Sequence, residues 1–336
     1  MQNRNENKID ELFLCVTPLQ MLIAESIVLL QKEKSKVKKN YAFIVITYDD
    51  NDKYKWYSDR LRKLSSDFVY FIVKGDSKFS RFGEVVRFKK AIHFLKKSYF
   101  YVCYLASIEN PFVLYALSVL KVNEIQTFDD GTANIDKSSI YYRQLHRGVF
   151  EKGLKKMLGI KYNREDIVQA STLHYTLYNG CSNIIEKTYF IDLMKGKKEL
   201  PDLKDFDKFE VINDKITIFL GQPVIGIDPS IDVDFVNKVI KDSGATYYLP
   251  HPRERIIIDN IEYIKTSLIF EDFILLLKQE YPTAKIVLNT FFSSAVLNVS
   301  SLTNIEINVF SNAYLDKEYA NIYNLFNVFG INKIII

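Results

Sequence analysis

Unbroken apolar, β-branched and aromatic runs recur along this chain, and a stretch with helical spacing follows nearly every one. FLCV (13–16) precedes LQMLIAESIVLLQKEK (19–34), and YAFIVIT (41–47) precedes a polar helical segment around 53–65. FVYFIV (68–73) leads to an amphipathic stretch near 81–97, YVCYLA (100–105) to a helix near 110–120, and EIQTF (124–128) follows. A strand that is apolar all along its length must be covered on both faces. Such strands, separated by helices, form a parallel sheet. The first half therefore reads as a doubly wound α/β unit, with ligands expected at the carboxyl ends of its strands.

The same pattern restarts near residue 215. KITIFL (215–220) is a strand, a helix follows near 231–242, and TYYL (246–249) is the next strand. SLIFEDFILLLKQ (267–279) reads as a helix, KIVLN (285–289) and NIEINVF (from 304) as strands, and a last helix runs near 315–328. Between the halves lies KGKKELPDLKDFDKF (195–209), charged and turn-rich, the expected linker. The 336 residues suffice for two domains at roughly 100–200 residues each. The expected architecture is α/β: two Rossmann-like, doubly wound domains, 1–195 and 210–336, facing across a cleft. The last helix is a candidate to pack back on the first domain.

A formal charge of +4 favours an anionic ligand or surface but is too small to argue for nucleic acid. Cys15, Cys103 and Cys181 are far apart and odd in number. They read as buried thiols rather than a metal or disulfide set. The opening MQNRNENKIDE has no basic n-region, and Leu12–Leu30 is interrupted by Pro18, Gln20 and Glu25. A cytoplasmic, soluble chain is the expectation. Within RFGEVVRFKKAIHFLKKS (81–98), Val85, Phe88, Ile92 and Leu95 share one face, and Arg87, Lys89, Lys90, Lys96 and Lys97 crowd the rest. That basic face is either solvated or a peripheral contact with anionic lipid at the inner face of the membrane.

Four strand ends carry unusual chemistry. FDDGTANI (128–135) puts Asp129, Asp130 and Gly131 directly after a strand: a plain turn, or a general base whose neighbour raises its proton affinity. FLGQPVIGIDPS (219–230) has Gly221 and Gly226, which allow close backbone approach, and Asp228 before a proline. In LPHPRER (249–255), Pro250 and Pro252 flank His251, so the imidazole is aimed in advance, with Arg253 and Arg255 beside it. NTFFSSA (289–295) places Ser293 and Ser294 where a helix is expected to begin, as an N-cap or an anion cradle. Glu271 in IFEDF is a first-turn carboxylate or a grip on a ribose. DDNDK (49–53) offers Asp50 and Asp52 to a metal, but a solvated acidic turn explains it equally well.

An Asp-Asp-Gly turn, a His-Pro pair and a Ser-Ser pair, in that order, resemble the bacterial sialyltransferases of the two-Rossmann GT-B type. VTPLQ (16–20) and LGQP (220–223) look most like glycosyltransferase family 52, the lipooligosaccharide sialyltransferases. The resemblance implies a CMP-sialic acid donor, a terminal galactose acceptor on a lipooligosaccharide or capsular glycan, an α2,3 bond and a homodimer. It implies that His251 contacts and protonates the leaving phosphate, that Ser293 and Ser294 lie near phosphate and carboxylate, and that Glu271 holds the ribose. Thr17, Gln20, Gly131, Gly221, Gln222 and Pro252 would line the substrate site. The base is divided between Asp228, by its spacing before the His-Pro pair, and the Asp129/Asp130 pair.

The implied reaction is an inverting displacement with oxocarbenium character and no metal or other cofactor. The useful groups in it are those that bind charge developing on the phosphate. Transfer from another nucleotide sugar, such as glucosyl transfer, stays open at this point, as does a non-catalytic nucleotide- or glycan-binding protein. A dinucleotide dehydrogenase is disfavoured, because VTPLQ and not a glycine-rich loop follows the first strand.

Overall fold

Leu12, Phe13, Leu14 and Cys15 have no solvent exposure, as the middle strand of a sheet covered on both faces demands. They lie in β1, Ile9–Cys15, in the computed structural model of the protein, which describes residues 9–35, 37–74, 78–143, 149–195, 208–251, 254 and 257–336. Pro252, Arg253, Arg255 and most of the expected linker lie outside the described residues. The chain divides into two compact units, Met1–Glu199 and Leu200–Ile336.

In the first unit, β1 feeds α1, Pro18–Lys34. Thr17 caps that helix, its hydroxyl accepting from Gln20 N–H at 3.3 Å, and Pro18 fills the first turn, where no N–H is needed. β2 (Lys39–Thr47), α2 (Asp52–Leu64) and β3 (Asp67–Ile72) follow. Then come α3 (Lys78–Ala91), a tighter 3₁₀ turn (His93–Lys97), β4 (Tyr99–Leu105) and α4 (Pro111–Val119). β5 (Lys121–Phe128), α5 (Val149–Leu158), α6 (Arg164–Ala170), β6 (Ser171–Thr176) and β7 (Thr188–Phe190) complete the unit. Among the described residues the sheet is seven-stranded, in the order β3-β2-β1-β4-β5-β6-β7. Every pair is parallel. The helical segment expected near 81–97 is thus a helix and a separate turn. Its apolar face is buried as patterned, with Val85, Phe88, Ile92 and Leu95 at most 5% exposed. Lys89, Lys90 and Lys97 face solvent, whereas Arg87 lies over the Phe71 ring and pairs with Glu84.

The second unit repeats the plan: β8 (Lys215–Leu220), α7 (Val233–Asp242), β9 (Tyr247–Leu249), β10 (Glu262–Tyr263), α8 (Phe270–Glu280) and β11 (Lys285–Thr290). A 3₁₀ turn (Ser294–Val299), β12 (Ile305–Ser311), α9 (Ala313–Glu318), α10 (Ala320–Val328) and β13 (Asn332–Ile335) end it. The order β10-β9-β8-β11-β12-β13 matches the first six strands of the other sheet, and it too is all parallel. The single last helix expected near 315–328 is two, broken at Tyr319. α10 is tied to its own sheet, Tyr323 Oη donating to the carbonyls of Phe291 and Phe310. No helix among the described residues is long and apolar enough to cross a membrane.

This order places the switch points, where neighbouring strands lead off to opposite faces, between β1 and β4 and between β8 and β11. One polar contact braces the layer behind the first of them. Arg60 of α2 pairs with Glu25 of α1, both nearly enclosed, and Arg60 also stacks on Tyr57. Breaking a buried ion pair by removing one partner is costly, so Glu25→Ala should cost about 3–5 kcal/mol in urea denaturation. The double variant Glu25→Met/Arg60→Met should recover most of that loss.

Candidate functional site

At the first switch point the chain leaves β1 through Val16 and Thr17 and turns into α1. Gln20, with no exposure, fills the gap between strand ends. Its Oε1 accepts from Val16 N–H at 2.7 Å, and its Nε2 donates to Ser107 Oγ at 2.8 Å and to Asp130 Oδ1 at 2.6 Å. One side chain therefore joins the ends of β1, β4 and β5. Asp130 Oδ2 accepts from Tyr141 Oη at 2.5 Å and from Ser107 Oγ at 3.3 Å. Burial first, and then the Asp130 charge, push the Tyr141 phenol far above its usual range, so it stays a donor. The result is a half-buried carboxylate held by three neutral donors at the mouth of the sheet. Thr17 and Gly131 serve local geometry: Thr17 caps α1, and Gly131 adopts φ +56° in the turn after Asp130.

Asp129 and Asp130, expected together at a cleft, part company. Asp129 is wholly buried. It accepts from His174 Nε2 at 2.9 Å, from Thr176 Oγ1 at 2.9 Å and from Leu177 N–H at 2.6 Å. The other imidazole nitrogen of His174 meets Thr127 Oγ1 at 2.8 Å. These bonds pin β5 to β6 through the Asp129 carboxylate, which is enclosed among its partners. His174, Ser107 and Tyr141 were not anticipated. β6 (STLHYT) is half polar, and its buried polar positions make sense only once Asp129 is seen between them.

At the second switch point Gln222, 8% exposed, plays the part of Gln20. Its Oε1 accepts from Phe292 N–H at 2.7 Å and from Thr290 Oγ1 at 3.2 Å, closing the gap between the ends of β8 and β11. Gly221 N–H donates to Leu249 C=O at 2.8 Å, which brings the end of β9, and hence Pro250 and His251, alongside. A Cβ at Gly221 would overlap Glu254 Oε2 and the Tyr248 phenol, so only glycine fits there. Ser293 precedes the 3₁₀ turn and does not cap it with its side chain. The expected start of a helix is this turn of six residues, whose dipole is correspondingly small. Ser293 and Ser294 are both half-buried. Glu271 opens α8, is buried, and accepts from Asn298 Nδ2 at 2.5 Å.

Asp228 lies in the loop between β8 and α7. Its Oδ1 accepts from Ser230 N–H at 2.9 Å and from the Ser230 hydroxyl, a turn closed over Pro229. These two bonds hold its carboxyl below the usual aspartate range. Tyr314 Oη anchors the loop from α9 through Ile227 C=O at 2.7 Å. Lys55 Nζ sits 3.7 Å from Asp50 and 3.9 Å from Asp52, as in a solvated acidic turn. Among the described residues no group of three or more His, Cys, Asp or Glu side chains is arranged to hold a metal ion. Cys15 and Cys103 are buried free thiols, pushed up by burial, and Cys181 is a half-buried one. A groove of about 300 Å³ lined by Leu30, Lys34, Tyr189 and Asp192 contains none of the residues expected at the site.

Residues 38–313 match the family described as glycosyltransferase family 52. The chain belongs to that family. It is 32% identical to the CMP-N-acetylneuraminate:beta-galactoside alpha-2,3-sialyltransferase of Pasteurella multocida, over 96% of this chain and 98% of that one. An N-acetyllactosaminide alpha-2,3-sialyltransferase of Haemophilus influenzae is 28% identical, over 88% and 90%. One of Neisseria meningitidis is 26% identical, over 95% and 84%. Solved structures share the fold at low identity. A UDP-GlcNAc 2-epimerase from Neisseria meningitidis has a TM-score of 0.54 at 9% identity, covering 95% of this chain and 91% of that one. The kitacinnamycin glycotransferase has 0.51 at 8%, covering 98% and 87%. The family 52 chain is thus a glycosyltransferase of the GT-B class, built from two Rossmann-like domains.

Asp129→Ala in this family 52 enzyme would leave the imidazole, hydroxyl and N–H around it without an acceptor, at roughly 1–3 kcal/mol each. Chemical denaturation should show a total loss above about 3 kcal/mol. A change within experimental error would contradict the structural role.

Proposed function

We propose that this family 52 chain is an α2,3-sialyltransferase that moves sialic acid from CMP-sialic acid to the terminal galactose of a bacterial surface glycan. Likeness over nearly the whole chain to the Pasteurella multocida β-galactoside α-2,3-sialyltransferase carries this reading. It supplies the nucleotide-sugar donor, the glycan acceptor and the linkage.

The second switch point suits the donor. Close backbone approach at Gly221 and Gln222 receives the nucleotide, Ser293 and Ser294 face the phosphate and the sialic carboxylate, and Glu271, oriented by Asn298, takes the ribose hydroxyls. His251 donates to the phosphate as the glycosidic bond breaks. Charge grows there during the reaction, so a donor aimed in advance binds the transition state more tightly than the ground state. The acceptor hydroxyl attacks the anomeric carbon from the opposite face and gives its proton to a carboxylate, which inverts the centre.

Two aspartates compete for that proton, and their surroundings divide the work. Both oxygens of Asp130 are engaged by Gln20, Ser107 and Tyr141, which suits a fixed acceptor of sugar hydroxyl bonds. The Ser230 bonds to Asp228 fall on one oxygen only, and Asp228 itself is not among the buried residues. Asp228 is assigned as the base and Asp130 as a binder of the acceptor. The reaction is assigned no metal.

Transfer from CMP-sialic acid to a labelled lactoside tests these roles. Asp228→Asn should lower kcat by about 10²–10⁴, and His251→Ala should also lower kcat. Asp130→Asn should mainly raise KM for the lactoside. The Asp228 carboxyl sits below its ordinary value, so it stays ionised, and competent, as pH falls. No acid limb from this group should therefore appear above the usual aspartate range of about 4. EDTA should leave the rate unchanged. Full activity of Asp228→Asn, or loss on chelation restored by Mn²⁺, would contradict the assignment.

A further inference from the structure

Three charges follow His251, and one of them is bonded back to it. Glu254 Oε2 accepts from His251 N–H at 3.1 Å, and Glu254 N–H donates to His251 C=O at 2.9 Å. The carboxylate reaches back to the N–H three residues before it, which is one half of the capping-box pattern, and a main-chain bond makes the return contact. The second oxygen, Oε1, accepts from Tyr248 Oη at 2.6 Å, and Tyr248 is a buried residue of β9. The seat under both groups is Gly221, at the end of β8, where a Cβ would strike the Glu254 carboxylate and the Tyr248 phenol together. The loop carrying His251 is thus gripped at its first N–H by a carboxylate that is anchored to one strand and pressed onto the end of the next. Glu254 is half-buried, and that burial raises its carboxyl above the usual range despite its two hydrogen bonds. A glutamate with only a solubility role has no reason to occupy that position.

We propose that Glu254 is the positioning residue for His251, and that Gly221 and Tyr248 form its seat. A proline ring fixes only a local backbone dihedral, whereas Glu254 ties the His251 N–H to Tyr248 of the sheet. A misplacement of about 1 Å at a reacting group is enough to cost about a hundredfold in rate, so the grip bears on turnover rather than on donor affinity. The inference rests on the reading of His251 as the group that meets the leaving phosphate.

The test pairs kinetics with a readout that needs no activity. Glu254→Ala should lower kcat about tenfold to a hundredfold, with KM for CMP-sialic acid within about threefold. Glu254→Gln, which keeps an acceptor oxygen for His251 N–H, should recover most of the rate. Gly221→Ala, which pushes the carboxylate off its seat, should lower kcat as Glu254→Ala does and also raise KM for CMP-sialic acid, because Gly221 also receives the nucleotide. In a His251→Ala background Glu254→Ala should add less than about twofold, because it acts through the residue already removed. Effects that multiply, or a wild-type kcat for Glu254→Ala, overturn the proposal. Amide hydrogen exchange at His251 decides the grip independently: protected in wild type, it should be exposed in Glu254→Ala and in Gly221→Ala. Equal protection in all three overturns the grip. If His251→Ala keeps full transfer while the exchange result holds, the reading of His251 has failed and the grip has not. If Glu254→Ala does not fold, Glu254→Gln and Tyr248→Phe carry the comparison, and Tyr248→Phe should lose part of both rate and protection.

Discussion

A parallel sheet gathers all its strand carboxyl ends along one edge, and where two neighbours turn to opposite faces that edge splits. The split exposes main-chain groups that need partners and leaves a crevice where a ligand fits. In both units of this protein a buried glutamine bridges the split. Gln20 reaches Val16, Ser107 and Asp130, and Gln222 reaches Thr290 and Phe292. A primary amide combines an acceptor with two donors in one neutral group, so it can satisfy strand ends without placing a charge in the crevice. The charge and hydroxyl chemistry is then carried by the residues around it.

Those residues differ between the two units in a way that suits two substrates. Around Gln20 stand neutral donors and one fixed carboxylate, a set matched to sugar hydroxyls, which both give and accept hydrogen bonds. Near Gln222 in the chain or through its partners lie Gly221, Ser293 and Ser294, a set that suits a phosphate. The division requires no residue of unusual reactivity. It asks that each group be held still, and the cost of holding falls on residues outside the chemistry: His174 and Asp129 behind the first crevice, Tyr248 and Glu254 behind the second.

Much of this was legible in the sequence. Strands such as YAFIVIT and KITIFL are apolar throughout, so their burial and parallel pairing follow from composition alone, and the chemical groups were found at their carboxyl ends. The strands that escaped are short or polar. β6 hides His174 and Thr176 in a polar alternation, β7 and β10 have three and two residues, and β13 follows a helix that already looked like an ending. Within the site, Asp129 and Asp130 are indistinguishable as letters. Their roles separate because adjacent residues leaving a strand point to opposite sides, one into the sheet and one toward its edge. Glu254 was visible three residues after His251, but a hydrogen bond to a main-chain N–H leaves no mark in composition.

The central claim is that the nucleotide half of the donor is received at the second switch point. Amide chemical-shift mapping with CMP, and with UDP as the comparison, addresses it most directly. The account predicts that CMP shifts the signals of Gly221, Gln222, His251, Ser293 and Ser294 and leaves those of Gln20, Ser107, Asp130 and Tyr141 in place. Shifts confined to the Gln20 network, or a response to UDP with none to CMP, would contradict it.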